Sequence, residues 1–333
     1  MPELRKDPVL GRWVIISTER AKRPKDFKSS PETRKITPKE CPFCPGNESA
    51  TPPEIYAIRP DGSQPNSPDW KLRVIPNKFP ALRIEGEINR RGEGIYDHMN
   101  GIGAHEVIIE TPEHNQDLAD MDLNGFGDVV HAYQQRILDL RKDERLRYVM
   151  VFKNFGAAAG ASLEHSHSQL IATPVVPKRV MEEMDGSKRY FEYRERCIFC
   201  DLVVQETKSR KRLIVENNSF ILICPFAPRF PFECWILPRN HRSNFEDATS
   251  EELEDLSAIL KDCLMRLKKA LNTPPYNYII HTAPITVRGI DFYHYHLEII
   301  PVLTHIAGFE WGTGFYINPT GPEDSSAYLK NIM

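Results

Sequence analysis

Cys41 and Cys44, with two residues between them, are followed by His114 and then by the pair His165 and His167. Cys197 and Cys200 repeat the spacing and are followed by His241 and the pair His294 and His296. The single histidine precedes the first member of its pair by 51 residues in one set and 53 in the other. Zn²⁺ favours tetrahedral sites of thiolate and imidazole, and a Cys-x-x-Cys turn supplies two thiolates that two distant histidines would complete. One such motif has ordinary alternatives, a redox pair or two buried thiols. Its repetition with the histidines in the same order argues for metal. Which histidine of each pair ligates is not decided by metal chemistry alone.

Around the first pair the sequence reads His165-Ser166-His167-Ser168-Gln169. A strand would place His165, His167 and Gln169 on one face, about 7 Å apart, with Ser166 and Ser168 on the other. That face offers a ligand, a reactive imidazole and an amide in a row. Imidazole titrates near 6.5, so much of it is unprotonated at neutral pH and competent to attack phosphorus, splitting one displacement at a phosphoanhydride into two through a phosphoryl-imidazole. Gln169 can donate to a phosphoryl oxygen without titrating. The preceding loop from Asn154 to Ser162, rich in Gly and Ala, is small enough to bring backbone N–H groups against phosphate.

Elements able to hold these groups recur in both halves. Strand-like runs occur at Trp13–Ile16, Leu72–Ile75, Glu106–Glu110 and Tyr148–Phe152, with a helix expected from Asp122 to Lys142 because Phe126, Val129, Val130, Tyr133, Ile137 and Leu140 recur at three or four residues. The second half repeats the plan with strands at Ser219–Ile223, Glu233–Leu237, Tyr278–Ile280 and His294–Ile300. Its long helix is announced by a capping box, Thr249 with Glu252, and a leucine-rich face. The Gly-rich segment 92–103 reads as a mobile loop and the Pro- and charge-rich segment 174–196 as the connection between halves. The expected fold is α+β, with an N-terminal half over 1–175 and a C-terminal half over 190–333.

The 333 residues carry 43 basic and 46 acidic side chains, a formal charge of -3, which gives no positive field for nucleic acid and favours small-molecule partners. No run approaches the ~20 apolar residues that span a bilayer, and the start lacks an apolar signal core, so no membrane association and a cytoplasmic location are expected. Seven cysteines in a reducing compartment suit metal ligation better than disulfides. Cys224, Cys234 and Cys263 lie in apolar contexts and read as core.

These residues, together with Arg20-Ala21-Lys22-Arg23-Pro24, Asn77-Lys78-Phe79-Pro80 and Thr111-Pro112-Glu113-His114, resemble the galactose-1-phosphate uridylyltransferase family from about Asp7 to Glu323. That family is a branch of the histidine-triad superfamily built of two fused halves, each an antiparallel sheet with a long helix. The resemblance implies zinc on Cys41, Cys44, His114 and His165, and His167 as nucleophile. It also implies Asn154, Ser162 and Gln169 at the phosphates, Asn77 and Phe79 near the nucleoside, and Phe309 and Glu310 in a sugar-contacting segment. Arg20 and Arg23 match arginines that enter a partner subunit's site, which implies a homodimer.

By the internal repeat Cys197, Cys200, His241 and His294 form a second metal set, giving two zinc ions per chain, with thiolates favouring zinc over iron. His296 is the counterpart of His167, but Glu298 stands where Gln169 would, which argues against a second catalytic centre. Ser166 and Ser168 replace the Pro and Gly of familiar uridylyltransferases, a form that also resembles ADP-glucose phosphorylases. The residues after Glu310, Trp311-Gly312-Thr313-Gly314, lack a Gln that some members use at the sugar. The expected activity is uridylyl transfer between UDP-glucose and galactose 1-phosphate through a uridylyl-His167 intermediate. Adenylyl transfer from ADP-glucose to phosphate is the alternative. A histidine-triad hydrolase or binding module and a structural zinc protein are more distant ones.

Overall fold

The structure is a computed structural model that describes residues 3–6, 13–16 and 36–332. Arg20 and Arg23, with the basic stretch around them, lie outside the described residues.

Ten strands form one antiparallel sheet. The first half supplies β3 (Tyr56–Ile58), β4 (Leu72–Pro76), β7 (Ala104–Ile109), β8 (Tyr148–Phe155) and β9 (His167–Thr173). From the second come β10 (Leu213–Glu216), β11 (Phe220–Ile223), β12 (Cys234–Pro238), β13 (Tyr276–His281) and β14 (His296–Pro301). Their order, β10-β11-β12-β14-β13-β8-β9-β7-β4-β3, reads the same from either edge once each strand is replaced by its counterpart in the other half. The halves meet where β8 pairs with β13, Asn154 opposite Asn277 and Phe152 opposite Ile279. A smaller sheet orders β2 (Trp13–Ile16), β1 (Glu3–Lys6), β6 (Tyr96–Asn100) and β5 (Arg91–Glu93).

Two long helices cover one face of the large sheet. In α1 (Leu123–Leu140) the Asp122 carboxylate accepts from the Gly125 N–H at 2.7 Å, and Phe126, Val129, Val130, Tyr133, Ile137 and Leu140 are buried as their spacing predicts. In α4 (Ser250–Leu271) the Thr249–Glu252 capping box is formed, and Leu253, Leu256, Leu260, Leu264 and Leu267 are buried. Each such leucine contributes roughly 1.5–3 kcal/mol by leaving water. The inward residues Leu170, Ala172, Val149, Val151, Ile280, Leu297 and Ile299 complete this core. Alternation then sends His167, Gln169, Phe152, Asn154, His296 and Glu298 to the opposite face.

Two segments differ from the sequence expectation. The segment 92–103 contains a hairpin, β5 and β6, turning at Gly94 with φ +59°, and Met99 is buried against Leu82. Its glycines suggested a loop, but Gly103 serves a close approach instead: a Cβ there would sit 2.3 Å from the Ala172 carbonyl oxygen. The connection between halves is largely helical, α2 (Lys178–Arg194) followed by α3 (Ile198–Ser209). Asp185-Gly186-Ser187 looks like a turn, yet a glycine costs a helix only about 1 kcal/mol, and the docking of Met184 and Glu183 against the second half outweighs that.

Candidate active site

The two Cys-x-x-Cys turns close as expected. Cys41, Cys44, His114 and His165 bring their ligand atoms within 4.8 Å of one another, as do Cys197, Cys200, His241 and His294. In the first set His165 Nδ1 lies 3.5 Å from both sulfurs and His114 Nδ1 lies 3.1 Å from Cys44 Sγ. Tetrahedral bonds of 2.3 Å to sulfur and 2.0–2.1 Å to nitrogen imply an edge of about 3.6 Å, so the cage fits zinc. Each of the four histidines spends its other nitrogen on a carbonyl: His165 Nε2 on Thr111 at 2.7 Å, His114 on Ile36, His241 on Ile290 and His294 on Pro238, each at 3.0 Å. That bond fixes the tautomer and leaves Nδ1 bare toward the sulfurs.

The same ring chemistry distinguishes the two members of each pair. His167 turns its Nδ1 away, donating to the His165 carbonyl at 2.7 Å, so Nε2 is the bare nitrogen. Ligand histidines therefore present Nδ1 and the second member of the pair presents Nε2. The strand β9 begins at His167, two residues later than expected, because His165 is drawn toward the cysteines. Burial holds His167 below the ordinary imidazole range, with Lys153 acting in the same direction and the His165 carbonyl and Glu110 opposing, which keeps it neutral. Phe43, inside the Cys41–Cys44 turn, packs edge-on against the His167 ring with centroids 5.4 Å apart. The same position of the second turn holds Phe199, a repeat that the sequence displayed and cysteine counting passed over.

Ser166 and Ser168 face the helices, as the alternation requires. Lys153 Nζ donates to Glu110 Oε2 at 2.5 Å, to Ser166 Oγ at 3.1 Å and to the His167 carbonyl at 3.0 Å. Ser166 Oγ donates to Glu110 at 2.6 Å, and Tyr133 donates to Ser168 Oγ at 2.8 Å. All three Lys153 hydrogens are used, so this buried pair is satisfied and braces the strand from behind. The serines are thus parts of the scaffold, and neither reaches the open face.

On that face Asn154 lies one strand away from His167. Its Oδ1 accepts from Asn277 Nδ2 at 2.8 Å, leaving the Asn154 N–H₂ turned toward the loop, and Asn277 also donates to the Ala159 carbonyl at 2.8 Å. Asn277 comes from the other half and was not anticipated from sequence. The loop turns through Gly156 and Gly160 at φ +81° and +92°, and Ser162 is exposed beside it. Gln169 follows His167 on the open face, and its Oε1 lies 2.9 Å from His105 Nε2. Asn77 and the exposed Phe79 follow β4, with Asn77 Nδ2 3.1 Å from the same His105 nitrogen.

A cavity of about 590 Å³ opens over the seam between β8 and β13 and is lined by Phe152, Asn154, Asn277, His305, Ile306 and Trp311, among others. Phe309 and Glu310 are not in its lining. Both lie in α5 (Gly308–Thr313), where Glu310 accepts the Ala307 N–H as a helix cap and Phe309 is exposed. Trp311 is the residue of this segment that reaches the cavity.

A third cluster was missed. Glu183, His281, His296 and Glu298 also bring possible ligand atoms within 4.8 Å. Glu183 comes from α2, inside the segment whose composition resembled a linker, which is why no spacing revealed it. Burial pulls His281 down, but Glu183 and Glu298 more than offset this and raise it to about 9. Burial lowers His296 to about 4, and its ring is stacked 4.8 Å from Phe199 and 4.7 Å from His281.

Residues 1–177 match the family described as Galactose-1-phosphate uridyl transferase, N-terminal domain, and residues 102–332 match Domain of unknown function (DUF4921). The chain is 45% identical to an ADP-glucose phosphorylase of Arabidopsis thaliana over 99% of this chain and 93% of that one. It is 29% identical to a galactose-1-phosphate uridylyltransferase of Thermotoga maritima over 99% and 98%. A crystal structure of an ADP-glucose phosphorylase from Arabidopsis thaliana with bound ADP-glucose superposes with a TM-score of 0.80 at 43% identity, covering all of both chains. With its bare imidazole nitrogen beside a Cys₂His₂ cage, and with likeness along its whole length, this chain belongs to the galactose-1-phosphate uridyl transferase family, a family of nucleotidyl-transferring enzymes.

Proposed function

We propose that the protein transfers an adenylyl group from ADP-glucose to inorganic phosphate through a covalent adenylyl-His167. The observation that carries nucleotidyl transfer is the His167 ring, neutral, anchored through Nδ1 and bare at Nε2. The choice of adenylyl over uridylyl rests on the 45% identity with the Arabidopsis phosphorylase, against 29% with the Thermotoga uridylyltransferase. Uridylyl transfer from UDP-glucose to galactose 1-phosphate is the second reading, favoured by the family matched over residues 1–177.

In the first half-reaction His167 Nε2 attacks the α-phosphorus. The anhydride bond to the distal phosphate breaks, and glucose 1-phosphate leaves with the bridging oxygen. In the second, an oxygen of inorganic phosphate attacks the same phosphorus, the N–P bond breaks and ADP departs, which restores neutral His167. Gln169 donates its amide to an α-phosphoryl oxygen, and Asn154, Ser162 and loop N–H groups take the remaining oxygens. Asn77 and Phe79 hold the nucleoside, the exposed Phe79 ring offering a face to the base. Phe309 and Glu310 serve the sugar side.

Each Cys₂His₂ set is assigned to zinc, which when bound cross-links its turn to the strand. His165, as a ligand, then holds its own carbonyl rigid under His167 Nδ1. Arg20 and Arg23 are assigned to the partner's site in a homodimer, consistent with the exposed Phe309, Trp311 and Phe315.

Incubation with ADP-glucose or UDP-glucose labelled in the α-phosphate tests the donor. Label retained on protein from ADP-glucose, and lost in His167→Gly, is expected; label from UDP-glucose alone overturns the adenylyl reading. Release of AMP at the same rate with and without phosphate would instead mark a hydrolase. Because burial lowers His167, the labelling rate should stay flat as pH falls from 8 through 6.5; protonation midway through that range would contradict a neutral buried nucleophile.

A further inference from the structure

Gln169 is held by an imidazole on the neighbouring strand. His105, on β7, is 5% exposed and diagonal to Gln169 on the neighbouring strand, Val107 being the direct partner of Gln169. Its Nδ1 lies 3.1 Å from the Ala81 backbone N–H, and its Nε2 lies 2.9 Å from Gln169 Oε1. A backbone N–H can only donate, so Nδ1 is the acceptor and a neutral ring carries its proton on Nε2. That proton goes to Gln169 Oε1. The competing arrangement, in which the Asn77 amide 3.1 Å away donates to Nε2, would require a proton on Nδ1 facing the Ala81 N–H. Because Asn77 Oδ1 accepts the Phe79 N–H at 2.9 Å, Asn77 presents only N–H₂ to this nitrogen and cannot accept its proton, which leaves Gln169 Oε1 as the acceptor.

The oxygen of the Gln169 amide is thereby taken, and its N–H₂ makes no hydrogen bond among the described residues. A free carboxamide flips at little cost and would present oxygen to a phosphoryl group half the time, an acceptor where a donor is needed. The same imidazole also ties down the turn that carries Asn77 and Phe79. We infer that His105 is a positioning residue that holds the Gln169 amide with its N–H₂ toward the transferred phosphoryl group and links that orientation to the segment 77–81. This rests on the reading of Gln169 as a phosphoryl ligand.

Two substitutions separate the bonds. Asn at 105 can keep an acceptor near Ala81 but cannot reach Gln169, whereas Gln at 105 can keep a donor near Gln169 but leaves the Ala81 N–H unmet. With whichever labelled nucleotide sugar reacts with the unmodified protein, His105→Asn should lower kcat by about 10-fold with KM within about 2-fold. His105→Gln should show the opposite split, KM raised by about 5-fold and kcat nearly kept. Gln169→Ala should lower kcat by at least about 10-fold, and adding His105→Asn to it should change kcat by less than about 2-fold. Thermal midpoints and metal content of all variants, measured alongside, exclude a general loss of structure.

A full additional 10-fold loss in the Gln169→Ala background would overturn the positioning role while leaving Gln169 as a ligand. If Gln169→Ala alone leaves kcat unchanged, the reading of Gln169 fails and the inference falls with it.

Discussion

The two halves build the same histidine into opposite surroundings. His167 and His296 both follow a histidine of a Cys₂His₂ cluster by two residues, both give Nδ1 to its carbonyl, and both lie against the phenylalanine of a Cys-x-x-Cys turn. Register then places Asn154 beside His167, where the second half has His281, and Gln169 where it has Glu298. In the first half the neighbours are half-buried amides with spare N–H groups. In the second, His281 lies 3.2 Å from Glu183 and 3.3 Å from Glu298, Arg229 also pairs with Glu298, and flat rings lie against His296. The difference teaches that the backbone sets the imidazole's orientation, while two neighbouring side chains and one covering helix decide what surrounds it.

The largest effect should come from His167→Gly, which removes the attacking nitrogen. Turnover should fall by at least about 10⁴-fold with metal content unchanged, whereas His296→Gly should leave labelling intact and lower stability. Retained turnover in the first variant would erase the functional asymmetry. Next in size, Cys44→Ala should cost both first-set metal, read by elemental analysis, and about 100-fold in labelling rate, because the His165 carbonyl loses its anchor. The matching Cys200→Ala should remove the other metal and depress the thermal midpoint with a smaller kinetic penalty.

Glu298→Gln should destabilise by roughly 3 kcal/mol in denaturant titration, because Arg229 and His281 are left buried beside an uncharged partner, while labelling persists. A gain of nucleotidylation at His296, read by peptide mapping, would show that the carboxylate alone had kept that half silent. Smallest of all, Ser168→Ala should cost about 1 kcal/mol by removing the Tyr133 bond, with no change of nucleotide preference. A switched preference would mean that the serines act beyond the scaffold.

Much of this was legible in the sequence because it is carried by local periodicity. The faces of α1 and α4, the capping box, both cysteine turns and the alternation from His165 to Gln169 follow from spacing within a few residues. What was illegible depends on pairs far apart. Asn277 acts on Asn154 across the seam, Glu183 on His281 over 98 positions, and His105 on Gln169 over 64. Each looks like an ordinary polar residue until the sheet order brings it to its partner. The segment 174–196 was obscured differently: a glycine and a Pro-rich entry signal a break, and only its docking on the second half explains the helix. Phe309 and Glu310 entered through a family resemblance, and the neighbouring Trp311 is the side chain that meets the cavity.

The seam between β8 and β13 also bears on how the enzyme comes into being. Every other pairing in the large sheet lies within one half, but the strand pair that orients Asn154 joins residues 123 positions apart. The Cys₂His₂ cage closes a span just as long, 124 positions from Cys41 to His165, and α1 and α4 bury their faces in one core, so chain length puts neither closure first. During refolding, closure of the cage and of the seam should therefore rise together, with metal uptake and catalytic competence in one phase. Until β13 seats against β8, Asn277 cannot orient the Asn154 amide, whatever the state of the cage.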